Sequence, residues 1–153
     1  MAFDWATMER ELIQQIQTGD GSVTTGFFAG RQVLLLHTIG AKSGEPRMTP
    51  LVYSEDGGKL VIIASKGGSP THPAWYNNIV KDPVVTIETG GTTFQARATI
   101  VPTEDERRRL YDQHAELHES FTTYEDLAQG RVIPVILLER IADDTAEDTS
   151  VAA

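Results

Sequence analysis

Cysteine is absent from all 153 residues. Disulfides, thiolate zinc sites and a cysteine nucleophile are thereby excluded, and nothing calls for an oxidising compartment. No apolar run approaches the ~18 residues of a membrane-spanning helix. The N-terminus, MAFDWATMERE, has neither the basic start nor the apolar middle of a signal peptide. The cytoplasm is the expected compartment, with peripheral contact at a membrane surface as the lesser alternative. Basic residues are scarce, 13 against 22 acidic ones for a net charge of −9, so the broad basic face that nucleic acid requires is excluded. Catalytic signatures are missing too: there is no GxSxG, HExxH, Walker lysine loop or GxGxxG. Of the four histidines only His114 and His118 share a helical spacing, and with no third ligand near them no metal site is expected.

What is present suits one ordinary globular domain, with 40% hydrophobic residues to form its core. That domain is expected over residues 1–141, with an acidic tail over 142–153 whose composition reads as disordered. Asp4 can cap a helix over 4–18 in which Trp5, Met8, Leu12 and Ile16 form one apolar face. Packing of that face on its own domain is favoured over membrane contact, because the polar face lacks lysine clusters.

The central stretch runs from Val33 to Tyr53. Val33 to Leu36 reads as a buried strand and Arg47 to Ser54 as an alternating one, joined by the turn-rich Ala41-Lys42-Ser43-Gly44-Glu45-Pro46. Lys42 and Arg47 flank that turn and can converge on one anion, with backbone N–H groups around Ser43-Gly44 as further donors. A solvated turn is the plainer alternative. Four of the 13 basic residues, Lys42, Arg47, Lys59 and Lys66, fall within 25 positions of an acidic chain, which favours a small anionic ligand.

Glu55-Asp56-Gly57-Gly58 is a turn, and Leu60 to Ala64 a third strand in a meander. The loop from Ser65 to Pro73, with two glycines and two prolines, allows close approach to backbone. Pro73 suits the start of a helix carrying Trp75, Tyr76, Ile79 and Val80 and ended by Asp82-Pro83. A second hairpin pairs Val84–Glu88 with Thr92–Ile100 through Gly90-Gly91. Thr103 and Glu106 form a capping box for a helix running towards Leu117, and Arg107 to Arg109 read as an ion-paired solvated face. A short helix follows to Ala128, closed by Gly130. Val132 to Leu138 is the last strand, with Pro134 placing it at an edge or bulge. About six strands with flanking helices predict a mainly β chain forming a small closed or partly closed barrel.

Three segments, HTIGAKSGEPRMTPLVY, DGGKLVIIASKGGSPTHPAWYNNIVKDP and RVIPVILLE, closely resemble the deazaflavin-dependent nitroreductase family. These are split β-barrel oxidoreductases that use coenzyme F420, and the resemblance spans residues 32–139. It implies that Lys42, Ser43, Gly44 and Arg47 hold the cofactor's phosphate, with the backbone of Met48, Thr49, Pro50, Leu51 and Val52 along its ring and side chain. Ile63, Ala64, Ser65 and Lys66 would line the deazaflavin ring, and Ala74, Trp75, Tyr76, Asn77 and Asn78 the helix start beside it, so that Trp75 faces the cofactor rather than only the core. Family tyrosines that cap the acceptor pocket align with His118, Phe121 and Tyr124, and only Tyr124 is kept. Another aligns with Val52. Ser65 and Tyr124 are then candidates to hold the acceptor or relay a proton, and His118 to stabilise a developing oxyanion.

The implied activity is hydride transfer from reduced deazaflavin to a small electron-poor acceptor: a quinone, an enone or a nitro compound. The loss of tyrosines favours compact, flat acceptors such as quinones or enones over extended nitroimidazoles. The alternatives are a non-catalytic flavin- or deazaflavin-binding module and an FMN-dependent split-barrel reductase, FMN being the less favoured cofactor. A monomer and a homodimer are both compatible with the sequence.

Overall fold

The computed structural model describes residues 10, 13–14, 33–68, 71–89, 92–119 and 121–141. Of the helix expected over 4–18, residues 10, 13 and 14 are described and are helical. The rest of it, the loop over 22–30, the turn at Gly90-Gly91 and the tail 142–153 lie outside the described residues.

Seven antiparallel strands form one sheet: β1 (Val33–Ile39), β2 (Pro46–Val52), β3 (Ser54–Asp56), β4 (Lys59–Ile63), β5 (Val84–Thr89), β6 (Thr92–Ile100) and β7 (Val135–Arg140), in the order β2-β1-β5-β6-β7-β4-β3. Three helices flank it: α1 (Ala74–Lys81), α2 (Glu104–Leu117) and α3 (Phe121–Leu127). β2 and β3 lie at opposite ends of the sheet order, yet only Tyr53 separates them in the chain. One residue spans no more than about 7 Å between its neighbours' Cα atoms, so the sheet must curl until its ends meet. The result is the split β-barrel expected from the sequence, with one strand more than the six counted there.

That extra strand corrects the expected meander. β4 does not run beside β2; it pairs with the three residues of β3 beyond the Tyr53 corner and, on its other side, with β7. The Asp56-Gly57-Gly58-Lys59 turn is in place, with Gly57 and Gly58 both at positive φ. The last strand is corrected as well. β7 is central, between β6 and β4, and Pro134 precedes it, where a missing N–H interrupts no ladder. The expected capping box is absent: Thr103 caps α2 without a side-chain bond, because Glu106 turns instead to Arg109.

Val33 to Leu36 is continuously apolar because both of its faces are covered. Leu34 and Leu36 join Ile62, Ile87, Ile136 and Leu138 in the main core, onto which α1 sets Trp75 and Ile79. Val33 and Leu35 face the other way, against Ile13, Met48 and Val52. Ile13 thus packs on this side of the sheet, while Trp5, Met8, Leu12 and Ile16, the apolar face expected of the N-terminal helix, lie outside the described residues. A third cluster gathers Val61, Ile63, Leu110, Tyr111, Phe121, Ile133 and Val135 between the sheet and α2–α3. The triple arginine divides: Arg109 is exposed with Asp56 and Glu106, whereas Arg107 is buried, held by Glu104, Glu125 and the Ile133 carbonyl. Among the described residues no helix is long and apolar enough to cross a membrane, and no three His, Asp or Glu side chains are grouped to hold a metal.

His114 is fully buried, its Nδ1 2.9 Å from the Ser54 hydroxyl and its Nε2 without a hydrogen-bond partner among the described residues. Burial, then the neighbouring His118, push its pKa down from 6.5 to about 3. Above pH 6.5 neither the folded nor the unfolded state binds a proton there, and stability is complete. Below it the unfolded chain takes up a proton that the fold refuses, so stability falls as pH drops from 6.5 towards 3. Urea unfolding should show about 2 kcal/mol less stability at pH 5 than at pH 7 from this residue alone. The Ser54→Ala/His114→Phe double variant should lose that share of the slope; an unchanged slope would place the proton uptake elsewhere.

Candidate functional site

The β1–β2 connection is a hydrogen-bonded loop. The Gly40 N–H donates to the Glu45 carbonyl at 2.8 Å and the Gly44 N–H to the Gly40 carbonyl at 2.9 Å, with Gly44 at φ +72°, a conformation glycine adopts without strain. The Ser43 hydroxyl accepts from the Glu45 N–H at 3.2 Å and from Arg47 Nη2 at 3.3 Å. The donors expected around Ser43-Gly44 are therefore partly engaged within the turn, and its capacity for an anion rests on Lys42 and Arg47. Arg47 faces Glu45 at 3.7 Å, both side chains more than half exposed. Such a pair contributes little and is readily exchanged for a ligand.

Helix α1 holds this loop from below. Asn78, buried, accepts the Ala41 N–H at 2.8 Å and donates to the Thr38 hydroxyl at 3.0 Å, while Lys81 donates to the Ala41 carbonyl at 2.8 Å. Ala41 is thus strapped by both of its backbone polar groups. Between loop and helix opens a cleft of about 420 Å³, within the range of small-molecule sites. Lys42, Ser43, Arg47 and Asn77 supply polar atoms on its wall, and Met48, Ala74 and Trp75 apolar ones. Trp75 belongs to the core and to the cleft at once.

The other candidates lie elsewhere. Pro50, Leu51 and Val52 continue β2 beyond the cleft, and Gly44 is in the turn but not on the cleft wall. Ile63 ends β4 and Ala64 follows it, both buried, as is Ser65; Lys66 is exposed, at φ +49°. This segment leads into a single 3-10 turn that docks on α3: a Cβ built at Gly68 would stand 2.9 Å from the Tyr124 carbonyl oxygen and 2.8 Å from Leu127 Cβ. Ser65 and Tyr124 are in this way brought to adjoining segments. Phe121 is buried edge-on to Tyr124 at 4.9 Å and to His114 at 4.6 Å. Tyr76 lies against the His72 ring at 4.5 Å. His118 is 2% exposed, and its Nε2 donates to the Tyr53 carbonyl at 3.0 Å. That places it at the barrel corner, away from the lining of the described cleft. Thr38, Lys81 and Arg131 escaped sequence reasoning. Nothing in their spacing marks them, since their partners lie at least 40 residues away in the chain.

A profile of the F420H2-dependent quinone reductases matches residues 8–140. The chain belongs to this family. An F420H2-dependent quinone reductase of Mycobacterium tuberculosis (strain ATCC 25618 / H37Rv) is 41% identical over 108 residues, which cover 70% of this chain and 72% of that one. A solved F420-H2-dependent reductase is 35% identical at TM-score 0.63, covering 70% of this chain and 93% of its own. Another structure, described as a domain-swapped dimer, is 32% identical at TM-score 0.65, covering 89% of this chain and 98% of its own. The resemblance read from the sequence is borne out. The protein is an oxidoreductase of this family and coenzyme F420 is its cofactor. The cleft's donor set fits such a group: two exposed cations and a hydroxyl for phosphate stand beside an apolar wall of Met48 and Trp75.

The Asn78 strap carries a prediction. Asn78→Ala should reduce stability by about 1–3 kcal/mol, because it leaves the Ala41 N–H unpaired. Asn78→Asp keeps the acceptor, and the Thr38 hydroxyl can turn to donate to it. Chemical unfolding should show stability largely restored in the Asp variant, while titration with F420 shows weakened binding from the added negative charge; equal stability of the Ala variant and wild type would remove the strap.

Proposed function

We propose that this protein reduces quinones with F420H2, and that the cleft between the 40–47 loop and α1 is where the phosphate-bearing part of the cofactor is held. The observation that carries the proposal is the pair of exposed cations, Lys42 and Arg47, lining a cleft that Met48 and Trp75 also line. When bound, the reduced deazaflavin supplies a hydride.

The chain's own work is binding, orientation and exclusion of water. Lys42 and Arg47 bind phosphate, with the Ser43 hydroxyl steadying Arg47. The strand backbone from Met48 to Val52 and the segment from Ile63 to Lys66 border the ring, and Trp75 closes the apolar side. Ser65 and Tyr124 are assigned to the acceptor: a hydroxyl from either can hydrogen-bond a quinone oxygen. Solvent or the Tyr124 hydroxyl supplies the proton that completes the reduction. Assembly as a homodimer is proposed from the 32% identical relative described as a dimer, and light scattering on the purified protein tests it.

Mixed with F420H2 and menadione, the protein should oxidise the cofactor catalytically. Arg47→Ala and Lys42→Ala should each raise the F420 dissociation constant by about 10- to 100-fold, the loss of a charge-assisted contact. Melting temperature should barely move, because both side chains are exposed. Unchanged affinity in both variants would relocate the phosphate. Tighter binding of FMN than of F420, or binding without turnover of any quinone, would overturn the assigned reaction.

A further inference from the structure

Arg131 belongs to none of the elements that frame the cleft. It sits in the connection between α3 and β7, yet it reaches three groups on the glycine loop that follows β4. Its Nη1 donates to the Ala64 carbonyl at 3.1 Å and to His72 Nδ1 at 2.8 Å, and its Nη2 to the Ser65 carbonyl at 2.8 Å. Because Nδ1 accepts from a guanidinium that cannot give up its charge, the His72 proton sits on Nε2. The His72 ring in turn lies 4.5 Å from that of Tyr76, next to Trp75 on α1. Ala64 and Trp75 pack in the same core cluster.

This loop needs such a clamp. Beyond Ile63 it leaves the sheet, and Lys66 holds the left-handed backbone at φ +49° that a lysine seldom adopts unaided. Two adjacent carbonyls and an imidazole nitrogen suit a planar fork of five donors, and a lysine ammonium would not match that geometry.

We propose that Arg131 is a positioning residue for the reductase, locking the Ser65–Lys66 turn to helix α1 through His72 so that the acceptor-side segment and the cleft wall hold one arrangement. The proposal rests on the F420 reading above.

Two measurements test it, one of them without cofactor. Nitrogen NMR of the His72 imidazole in the unliganded wild type should show the Nε2–H tautomer. Burial and then the Arg131 charge hold this histidine below its ordinary pKa of 6.5, so in Arg131→Gln its titration midpoint should rise and the single tautomer be lost. In the same variant the F420 dissociation constant should rise and kcat fall, each by about tenfold, with the menadione KM unchanged. His72→Phe keeps a ring against Tyr76 but removes the acceptor; it should show a smaller loss of the same kind, and add nothing to Arg131→Gln in the double variant.

An Nδ1–H tautomer in the wild type would overturn the clamp. So would a broken His72 signature in Arg131→Gln accompanied by wild-type affinity and kcat. If Arg131→Gln fails to fold, wild-type affinity and kcat in His72→Phe overturn the proposal by themselves. Failure of the wild type to bind F420 would instead sink the assigned reaction, while the imidazole spectrum still decides whether the clamp exists.

Discussion

The constraint on which the rest of this structure depends is the single residue between β2 and β3. Strands at opposite ends of the sheet order are continuous in the chain through Tyr53, so the sheet has no freedom to lie flat. That corner is tied at every polar group the residues Tyr53 and Ser54 offer through their side chains, and at the Tyr53 carbonyl. The carbonyl accepts a hydrogen bond from His118 Nε2–H, the Tyr53 hydroxyl accepts from Thr89, and the Ser54 hydroxyl meets His114. The i, i+4 histidine pair, which in a sequence suggests a metal or a catalytic base, thus fastens α2 to the corner. His114 is kept neutral for the purpose, because a charge there would be stranded away from water.

Closure at Tyr53 also decides where a ligand can go. Leu34, Leu36, Ile62, Ile87 and Ile136 fill the interior, and the described cleft lies at the margin of the sheet, where the β1–β2 turn leans over α1. A turn carrying two cations would not by itself hold a fixed shape. Asn78 and Lys81 give it one, by engaging the N–H and the carbonyl of Ala41 from a helix that Trp75 and Ile79 root in the core. Rigidity at the cleft is borrowed from the barrel.

Local signals in the sequence were legible where they were covalent or periodic. The 40–46 turn, the Asp56–Lys59 turn and the Pro73 helix start stand where their glycines and prolines put them, and the two strands of the second hairpin pair as expected. Long-range pairing was not legible. β3 is too short to register as a strand, and Pro134 suggests an edge to any reader who does not know that the strand begins after it. The capping box failed because Glu106 has a competing partner three residues on, Arg109, which also holds Asp56. Lys42 and Arg47 could be picked out by charge and Asn78 by resemblance; Thr38, Lys81 and Arg131 act through partners 40 to 67 residues away, and no local pattern encodes such a distance.

Charge is distributed with the same division of labour. The chain carries net −9, and its arginine-rich helix does not offset this for a ligand, because Arg107, Arg108 and Arg109 are already engaged by Glu104, Glu106, Asp112, Glu125 and Asp56. The field far from the protein therefore repels an anion, and recognition falls to contacts within a few ångströms of Lys42 and Arg47. At that range a charge-assisted bond outweighs the screened repulsion of carboxylates more than a Debye length, roughly 8 Å, away. An acidic protein can then select its anionic cofactor by geometry at one turn without attracting polyanions over its whole surface.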